Sequence, residues 1–316
     1  MKTPSWPSWR LGRRFVIGVP YLWLIVFFVL PFLILLRISV TDMAGGVDPF
    51  APLLDSASGA WRLILKYDNY GSIFRTAQEG VSALWGDTIY MDAYLLSLKY
   101  AFFTTLLCLV IGYPFAYFIA RSRPAIRPAL LMLVMLPFWT SFLLRVYAWK
   151  GILADQGVLN NLLLALGLIQ EPIAMLYTDV SMLVGMTYVY CPFMILPLYA
   201  NLVKMDVRLL EAAHDLGASP WKAFWLVTVP LSRSGIIAGA MLVFIPSVGE
   251  FVIPSLLGGA ENIMIGRVVW DEMFSSNNWP RAAALSVVMI LLILVPLAFY
   301  YRSSSDRGGR SGDRES

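Results

Sequence analysis

From Phe15 to Leu36 the chain runs without a single charge, and this run limits the possible folds more than any other feature. Inside lipid every backbone N–H and C=O must find a partner within the chain, so a continuous apolar run of this kind crosses as a helix. About twenty residues rising 1.5 Å each cover the roughly 30 Å hydrocarbon core. Five more runs of similar length follow: Tyr94 to Ala120, Ala129 to Trp149, Val180 to Val203, Gly235 to Leu257 and Ala282 to Tyr301. They are too long for the alternating segments of an outer-membrane barrel. The composition agrees, with 59% hydrophobic and only 14% charged residues. The expected fold class is therefore all-α, a polytopic membrane protein of six transmembrane helices.

Basic residues collect on the cytoplasmic side of short loops. Lys2, Arg10, Arg13 and Arg14 precede the first run, and Arg121, Arg123 and Arg127 fill the second connection. Lys204, Arg208, Lys222 and Arg233 mark the stretch between runs four and five, and Arg302, Arg307, Arg310 and Arg314 the tail. These segments hold 15 of the 24 Lys and Arg, which places both termini and residues 204–233 in the cytoplasm. The division expected is a cytoplasmic N-terminus over 1–14, a membrane domain over 15–301 and a disordered polar tail over 302–316. Since this bias accounts for the net charge of +4, nothing points to nucleic acid. The first run lacks a small-x-small site after it and reads as a retained span rather than a signal peptide. Cys108 and Cys191 fall in different spans, so they are expected to pack as small apolar residues rather than to form a disulfide.

Between runs four and five lies a polar stretch, EAAHDLGASPWKAFWLVTVP, from Glu211 to Pro230. Asp206 is placed to cap a short helix ending near Leu216, and Gly217 stands where a helix terminus turns left-handed. Ser219 can cap a second helix with Pro220 in its first position. Leu209, Ala213 and Leu216 share one face, expected to turn toward the chain's own membrane domain. Glu211 and Asp215, four apart, share another and are expected to face outward, as in a docking element.

Span three carries PFWTSFLLRVYAWK, Pro137 to Lys150. Arg145 would cost at least about 2.5 kcal/mol at a bilayer centre, so it is expected to snorkel outward, to pair or to face water, with the first two favoured by its place near the span's end. Trp139, Tyr147 and Trp149 would line an outer vestibule or form an interfacial aromatic belt. In span five, Pro246, Gly249 and Pro254 surround a single acid, Glu250. Helix breakers at membrane depth are tolerated where the freed backbone is buried or lines a wet path, and there a carboxylate attracts cations. The alternative is a Glu held by structural hydrogen bonds. Two outer loops, Ile38 to Ala93 and Ala260 to Arg281, are rich in aromatic and acidic residues and suit either a soluble partner or interfacial cover. There is no phosphate-binding loop, and His214 is the only histidine, with no His or Cys cluster near it in sequence. Neither an ATPase nor a metalloenzyme is indicated.

Glu211, Ala212 and Ala213, followed by Gly217 and the distal pair Val229–Pro230, resemble the EAA loop of binding-protein-dependent ABC importer permeases, where Leu usually stands at Val229. The resemblance extends over nearly the whole chain. LPFWTSFLLRVYAWKGIL, FIPSVGEFVIPSLLGG and IMIGRVVW resemble the polyamine importer permeases, and the Glu at 250 places the chain nearer those for putrescine than those preferring spermidine. It implies a type I ABC importer permease fold in the inner membrane, with Glu211, Ala212, Ala213, Asp215, Gly217 and Pro230 as the ATPase-coupling element and Glu250, Trp139 and Tyr147 along the substrate path. The implied partners are a different second permease subunit, two copies of a cytoplasmic ATPase that binds the ATP, a periplasmic polyamine-binding protein and the polyamine itself. No cofactor or metal of its own is implied. Two alternatives stay open at this point: an importer of another solute, such as ferric ion or sulfate, and a membrane scaffold that docks a cytoplasmic partner without transport.

Overall fold

A computed structural model describes residues 9–44, 49–52, 54–55, 62–63, 65–74 and 89–309. In chain order the helices are α1 (Trp9–Leu24), α2 (Leu30–Ser39), α3 (Asp68–Phe74), α4 (Ile89–Arg121), α5 (Arg127–Met135), α6 (Phe142–Leu153), α7 (Val158–Ala165) and α8 (Asp179–Leu202). After these come α9 (Arg208–Asp215), α10 (Pro220–Ala223), α11 (Val229–Leu231), α12 (Arg233–Val248), α13 (Val252–Leu257), α14 (Ile265–Trp270) and α15 (Trp279–Gly309). An antiparallel pair of two-residue strands, β1 (Leu54–Asp55) and β2 (Arg62–Leu63), is the only β structure among the described residues.

Helical segments lie at each of the six expected positions, but among the described residues at most five are long and apolar enough to cross a membrane, two of them as bent pairs, and the last, Trp279–Leu294 within α15, is a shorter apolar helix. Phe15–Ser39, Ile89–Arg121 and Asp179–Leu202 are single helices long and apolar enough to cross a membrane. The third expected span, Ala129 to Trp149, is not one helix. After α5 a 3-10 turn over Leu136–Trp139 ends at Thr140 and Ser141, whose backbones are extended, and α6 leaves at 88°. Pro137 supplies no N–H here, and the Thr140 hydroxyl donates to the Pro137 carbonyl (2.7 Å), closing the turn. The fifth span is also broken. It enters through α10 and α11, bends 66° into α12, stops at Val248 and resumes as α13 beyond Gly249–Phe251. Two of the helical segments open into π turns, Ile25–Val29 and Phe224–Thr228, just before Pro31 and Pro230. A proline ring clashes with the carbonyl four residues back, and a widened turn relieves that clash without ending the helix.

By its contacts the membrane region divides into two compact units, one from Met1–Thr88 with Val269–Ser316 and one from Ile89–Val268. In the first, α2 packs along α15, whose Ala282, Ala283 and Ala284 are buried and small enough to admit a neighbouring helix closely. The Asn69 amide donates to the carbonyls of Ser39 and Thr41, and the hydroxyls of Tyr70 and Ser39 pair at 2.6 Å, folding the chain back after the first span. Lys66 donates to Asp42, and that bond holds the Asp42 carboxyl below its ordinary range. Trp61 and Trp85 of the first outer loop lie outside the described residues. The stretch Ala260 to Arg281, expected as an outer loop, contains α14 and a π turn over Asp271–Ser275, and Arg281 sits 3.9 Å from Glu272. The tail expected to be disordered from Arg302 begins as helix, because nothing before Gly308 and Gly309 interrupts α15. Residues 310–316 lie outside the described residues.

The core of the second unit is α4, α8 and α12 packed on one another. Met182, Met186 and Met194 follow one face of α8 and are fully buried. On α12, Gly235 and Gly239 form a G-x-x-x-G pair against Pro197, Asn201 and Met194 of α8. Lipid gives no hydrophobic drive for helices to associate, so small residues that let backbones approach carry the packing. Buried polar pairs add to it: Tyr113 hydroxyl with Ser232 hydroxyl (2.7 Å), Tyr100 hydroxyl to Asn262 (2.8 Å), and Ser181 hydroxyl to the Leu257 carbonyl (2.6 Å). Bonds of this type contribute about 0.6 kcal/mol each in membranes. Cys108 and Cys191 are both free thiols, the first buried and the second partly so.

Candidate functional site

The stretch from Glu211 to Pro230 folds as two short helices locked by their own termini. The Asp206 carboxylate accepts from the backbone N–H of Arg208 at 3.0 Å, capping α9 from one position further out than the N-cap residue, Val207. At the other end Gly217 has φ +83°. Its N–H donates to the His214 carbonyl (2.8 Å) and that of Ala218 to the Ala213 carbonyl (3.0 Å), the paired bonds of a Schellman ending. His214 Nδ1 donates to the Ala218 carbonyl (2.9 Å), so the chain's single histidine ties the turn to the helix. The Ser219 hydroxyl accepts from Lys222 N–H at 3.3 Å, and Pro220 begins α10. Thus the backbone from Asp206 to Lys222 closes most of its own polar groups and can move as a rigid piece.

Its apolar face turns toward the chain's own following segment but is not covered by it. Ala213 is half-buried, but Leu216 is 89% exposed, and Leu209, Leu226 and Leu231 are exposed as well. With Pro230 they line an open groove of about 430 Å³ between α9 and the segment from the π turn through α11. Trp221 and Trp225 stand exposed beside it on the second helix. Glu211, Ala212 and Asp215 are exposed too, so acidic and apolar side chains together form the surface offered outward.

The second set of residues surrounds the break in span five. With the helix interrupted at Gly249–Phe251, the first N–H groups of α13 have no intrahelical partner. Glu250 Oε1 accepts from Val252 N–H (3.0 Å) and Ile253 N–H (3.4 Å), and Oε2 accepts from the Tyr190 hydroxyl of α8 at 2.5 Å. Three donors leave about one of the four lone-pair positions of a carboxylate open. Gly266 of α14 lies directly against this break, since a Cβ there would sit 2.4 Å from the Gly249 carbonyl oxygen. The motifs FIPSVGEFVIPSLLGG and IMIGRVVW, separate in sequence, therefore meet at Glu250.

Around Tyr190 the rings continue. Tyr190 approaches Phe193 (centroids 6.3 Å), and Phe193 meets Phe138 edge-on (5.3 Å). Over Phe138 lies the Arg145 guanidinium, 4.7 Å from the ring centroid, with Phe142 on another side at 5.9 Å. Arg145 neither snorkels nor pairs as expected. It is only 9% exposed, and its Nε and Nη1 are buried without an acceptor among the described residues. The break at Thr140–Ser141 explains the difference, because α6 starts a new direction and Arg145, one turn in, is carried against the Phe138 and Phe142 rings instead of outward. Trp139 and Tyr147 are 74% and 55% exposed, and neither hydrogen-bonds Glu250 among the described residues. Trp149 instead packs edge-on against Tyr188. Tyr190, Phe138 and Phe193 were not singled out for this site from sequence. A tyrosine two residues before a proline inside a span, as Tyr190 stands before Pro192 within α8, is the signal that was available. No group of His, Cys, Asp and Glu suited to a metal occurs among the described residues.

Residues 109–306 match the family model described as the binding-protein-dependent transport system inner membrane component. A relative from Haemophilus influenzae, the spermidine/putrescine transport system permease protein PotB, is 36% identical over 292 residues, 92% of this chain and 94% of that protein. Its namesake from Escherichia coli strain K12 is 38% identical over 282 residues, 89% and 94% of the two chains. Among solved structures, a chain of a bacterial ABC transporter involved in import of the acidic polysaccharide alginate has the same fold, with TM-score 0.64 over 94% of this chain and 97% of that one at 16% identity. A membrane domain with broken spans, a self-capped polar loop between spans four and five, a matching family model and relatives similar from end to end lead to one conclusion: the chain belongs to the binding-protein-dependent transport system inner membrane components.

Proposed function

We propose that the chain is one permease subunit of an ATP-driven polyamine importer of the inner membrane, with putrescine among its substrates. The observation that carries the substrate class is the end-to-end similarity to relatives named for spermidine and putrescine transport. Glu250, the single acid of span five, sits at the helix break with one carboxylate position open, where an alkylammonium group can be met. The rings of Tyr190, Phe193 and Phe138 supply faces of the kind that attract such cations, and Trp139 and Tyr147 would meet the substrate further out.

In this reading ATP hydrolysis belongs to a separate cytoplasmic subunit present in two copies. The helix with Glu211, Ala212, Ala213 and Asp215, set by Gly217 and Pro230, docks into that subunit and transmits its closure. Support for this comes from the exposed acidic and apolar surface of a segment whose backbone is closed on itself. A second, different permease subunit completes the path, and a periplasmic binding protein delivers the polyamine. Both termini lie in the cytoplasm, in keeping with the basic residues that flank them.

The test is reconstitution of the chain with its ATPase, second permease and binding protein in proteoliposomes. ATP-dependent uptake of labelled putrescine, competed by spermidine and not by amino acids, is expected. Uptake of neither polyamine, with the complex assembled and hydrolysing ATP, would refute the substrate class.

A further inference from the structure

On the second unit, α4, α5, α6 and α8 enclose an open groove of about 790 Å³ whose walls are almost wholly apolar. Nothing in the coupling surface or around Glu250 uses it. On α8 it is lined by Thr187, Tyr188, Cys191 and Ile195, whereas Tyr190 and Phe193 point toward the Glu250 cluster. A membrane protein can leave such a face to bulk lipid, but one end of this groove is chemically distinct. Phe118 and Ile119 of α4 and Leu130 of α5 are lining residues, and the turn between these helices carries Arg121, Arg123 and Arg127.

Those charges have no compensation nearby in sequence. Between Asp92 and Asp155 the chain contains no Asp or Glu. Arg127 spends Nε on the Ser122 carbonyl (2.9 Å). Arg121 turns away from the groove, over the Tyr117 ring at 5.4 Å, and Tyr117 in turn meets Phe224. Arg123 is exposed. The length also fits a definite occupant. From Leu107 to Ile119 the α4 wall runs about 18 Å at 1.5 Å per residue, close to half of the roughly 30 Å hydrocarbon core. An acyl chain of one leaflet has that reach.

We propose that this groove is a binding site for an anionic phospholipid, its headgroup held by Arg123 and Arg127 and its acyl chains laid between α4, α5 and α8. Basic clusters beside helix clefts bind acidic headgroups in this way, each Lys or Arg strengthening the attraction. A free phosphate would satisfy the arginines but leave the apolar walls open, and a zwitterionic lipid would fill the walls without balancing the charge. The lipid would also hold α5 against α4 at the point where span three folds back on itself.

Native mass spectrometry of the delipidated, assembled permease complex tests the proposal, with dioleoyl phosphatidylglycerol and dioleoyl phosphatidylcholine as probes. The wild-type complex is expected to retain phosphatidylglycerol preferentially. The variant R123Q/R127Q should bind it about thirtyfold more weakly, with phosphatidylcholine unaffected. Leu133→Trp, at an exposed groove wall, should weaken both lipids while the complex still elutes intact on size exclusion. Equal retention of the two lipids by the wild type, or unchanged phosphatidylglycerol binding in R123Q/R127Q, would overturn it. So would a Leu133→Trp complex that loses its second permease subunit but keeps its lipid, because the groove would then be a subunit interface.

Discussion

Replacing Gly239 by Ala tests the packing that holds spans four and five together. A Cβ at this position would stand 2.7 Å from Met194 Sδ, 3.1 Å from the Met194 carbonyl oxygen and 3.4 Å from its Cα. The sulfur can swing aside, but the carbonyl belongs to α8 itself, so α12 must retreat by several tenths of an ångström. Overpacking of this sort costs about 1–3 kcal/mol. Alanine in a helix interior returns about 0.5–1 kcal/mol relative to glycine, which leaves a net loss of roughly 1 kcal/mol. Gly151 in α6 is the internal control, since no heavy atom lies within 4 Å of where its added methyl group would stand, and Ala there retains only the gain. Thermal inactivation followed by fluorescence-detected size exclusion should thus place Gly239→Ala below wild type and Gly151→Ala at or above it. If both variants melt with the wild type, close backbone approach is not what joins α12 to α8.

At Gly217 the backbone is left-handed, so Gly217→Ala should cost about 1 kcal/mol locally and lower ATP hydrolysis stimulated by the binding protein, with membrane insertion unchanged. Glu211→Lys reverses an exposed charge on the same helix and should reduce co-purification of the ATPase severalfold; full recovery of the ATPase would contradict docking there. Glu250→Gln leaves one acceptor oxygen for three donors and should reduce putrescine uptake more than it reduces complex yield, whereas unaltered uptake kinetics would remove Glu250 from the path. Arg145→Met keeps bulk over Phe138 while removing two buried N–H groups that lack acceptors among the described residues, and the purified permease is expected to be at least as heat-stable as wild type. A clear loss of stability would mean that Arg145 is paired in the assembled protein.

Much of this was legible from sequence because it depends on local rules. Apolar run length located the spans, and Asp206, Gly217, Ser219 and Pro220 announced the two short helices through capping chemistry that acts over three or four residues. The 88° fold in span three was not legible. Pro137 marks a weak point, but whether a helix kinks or turns back depends on whether its second half finds a partner, here α8 and α13. That the α9 apolar face stays uncovered was not legible for a related reason, since periodicity identifies a face without saying what covers it. The contribution of Tyr190, sixty residues from Glu250, required the tertiary fold.

Glu250 and Arg145 show how differently two charges at membrane depth can be accommodated. Glu250 sits where a helix begins, and the freed N–H groups of Val252 and Ile253 need an acceptor there whatever passes through the membrane. An anion at a helix start is also favoured by the backbone dipole, so local structure alone accounts for most of its position. Arg145 has the opposite circumstances. It lies in the first turn of α6, the end where a cation is disfavoured, and its donors meet ring faces rather than oxygens. Its own helix does not repay its burial, and what is returned comes from ring contact, worth about 2 kcal/mol or more when desolvated. A residue whose position is explained by its own helix can be lost with modest structural effect if another acceptor replaces it. One that its own helix penalises is kept for a reason beyond that helix, which makes uptake in Arg145→Met a more informative measurement than its stability.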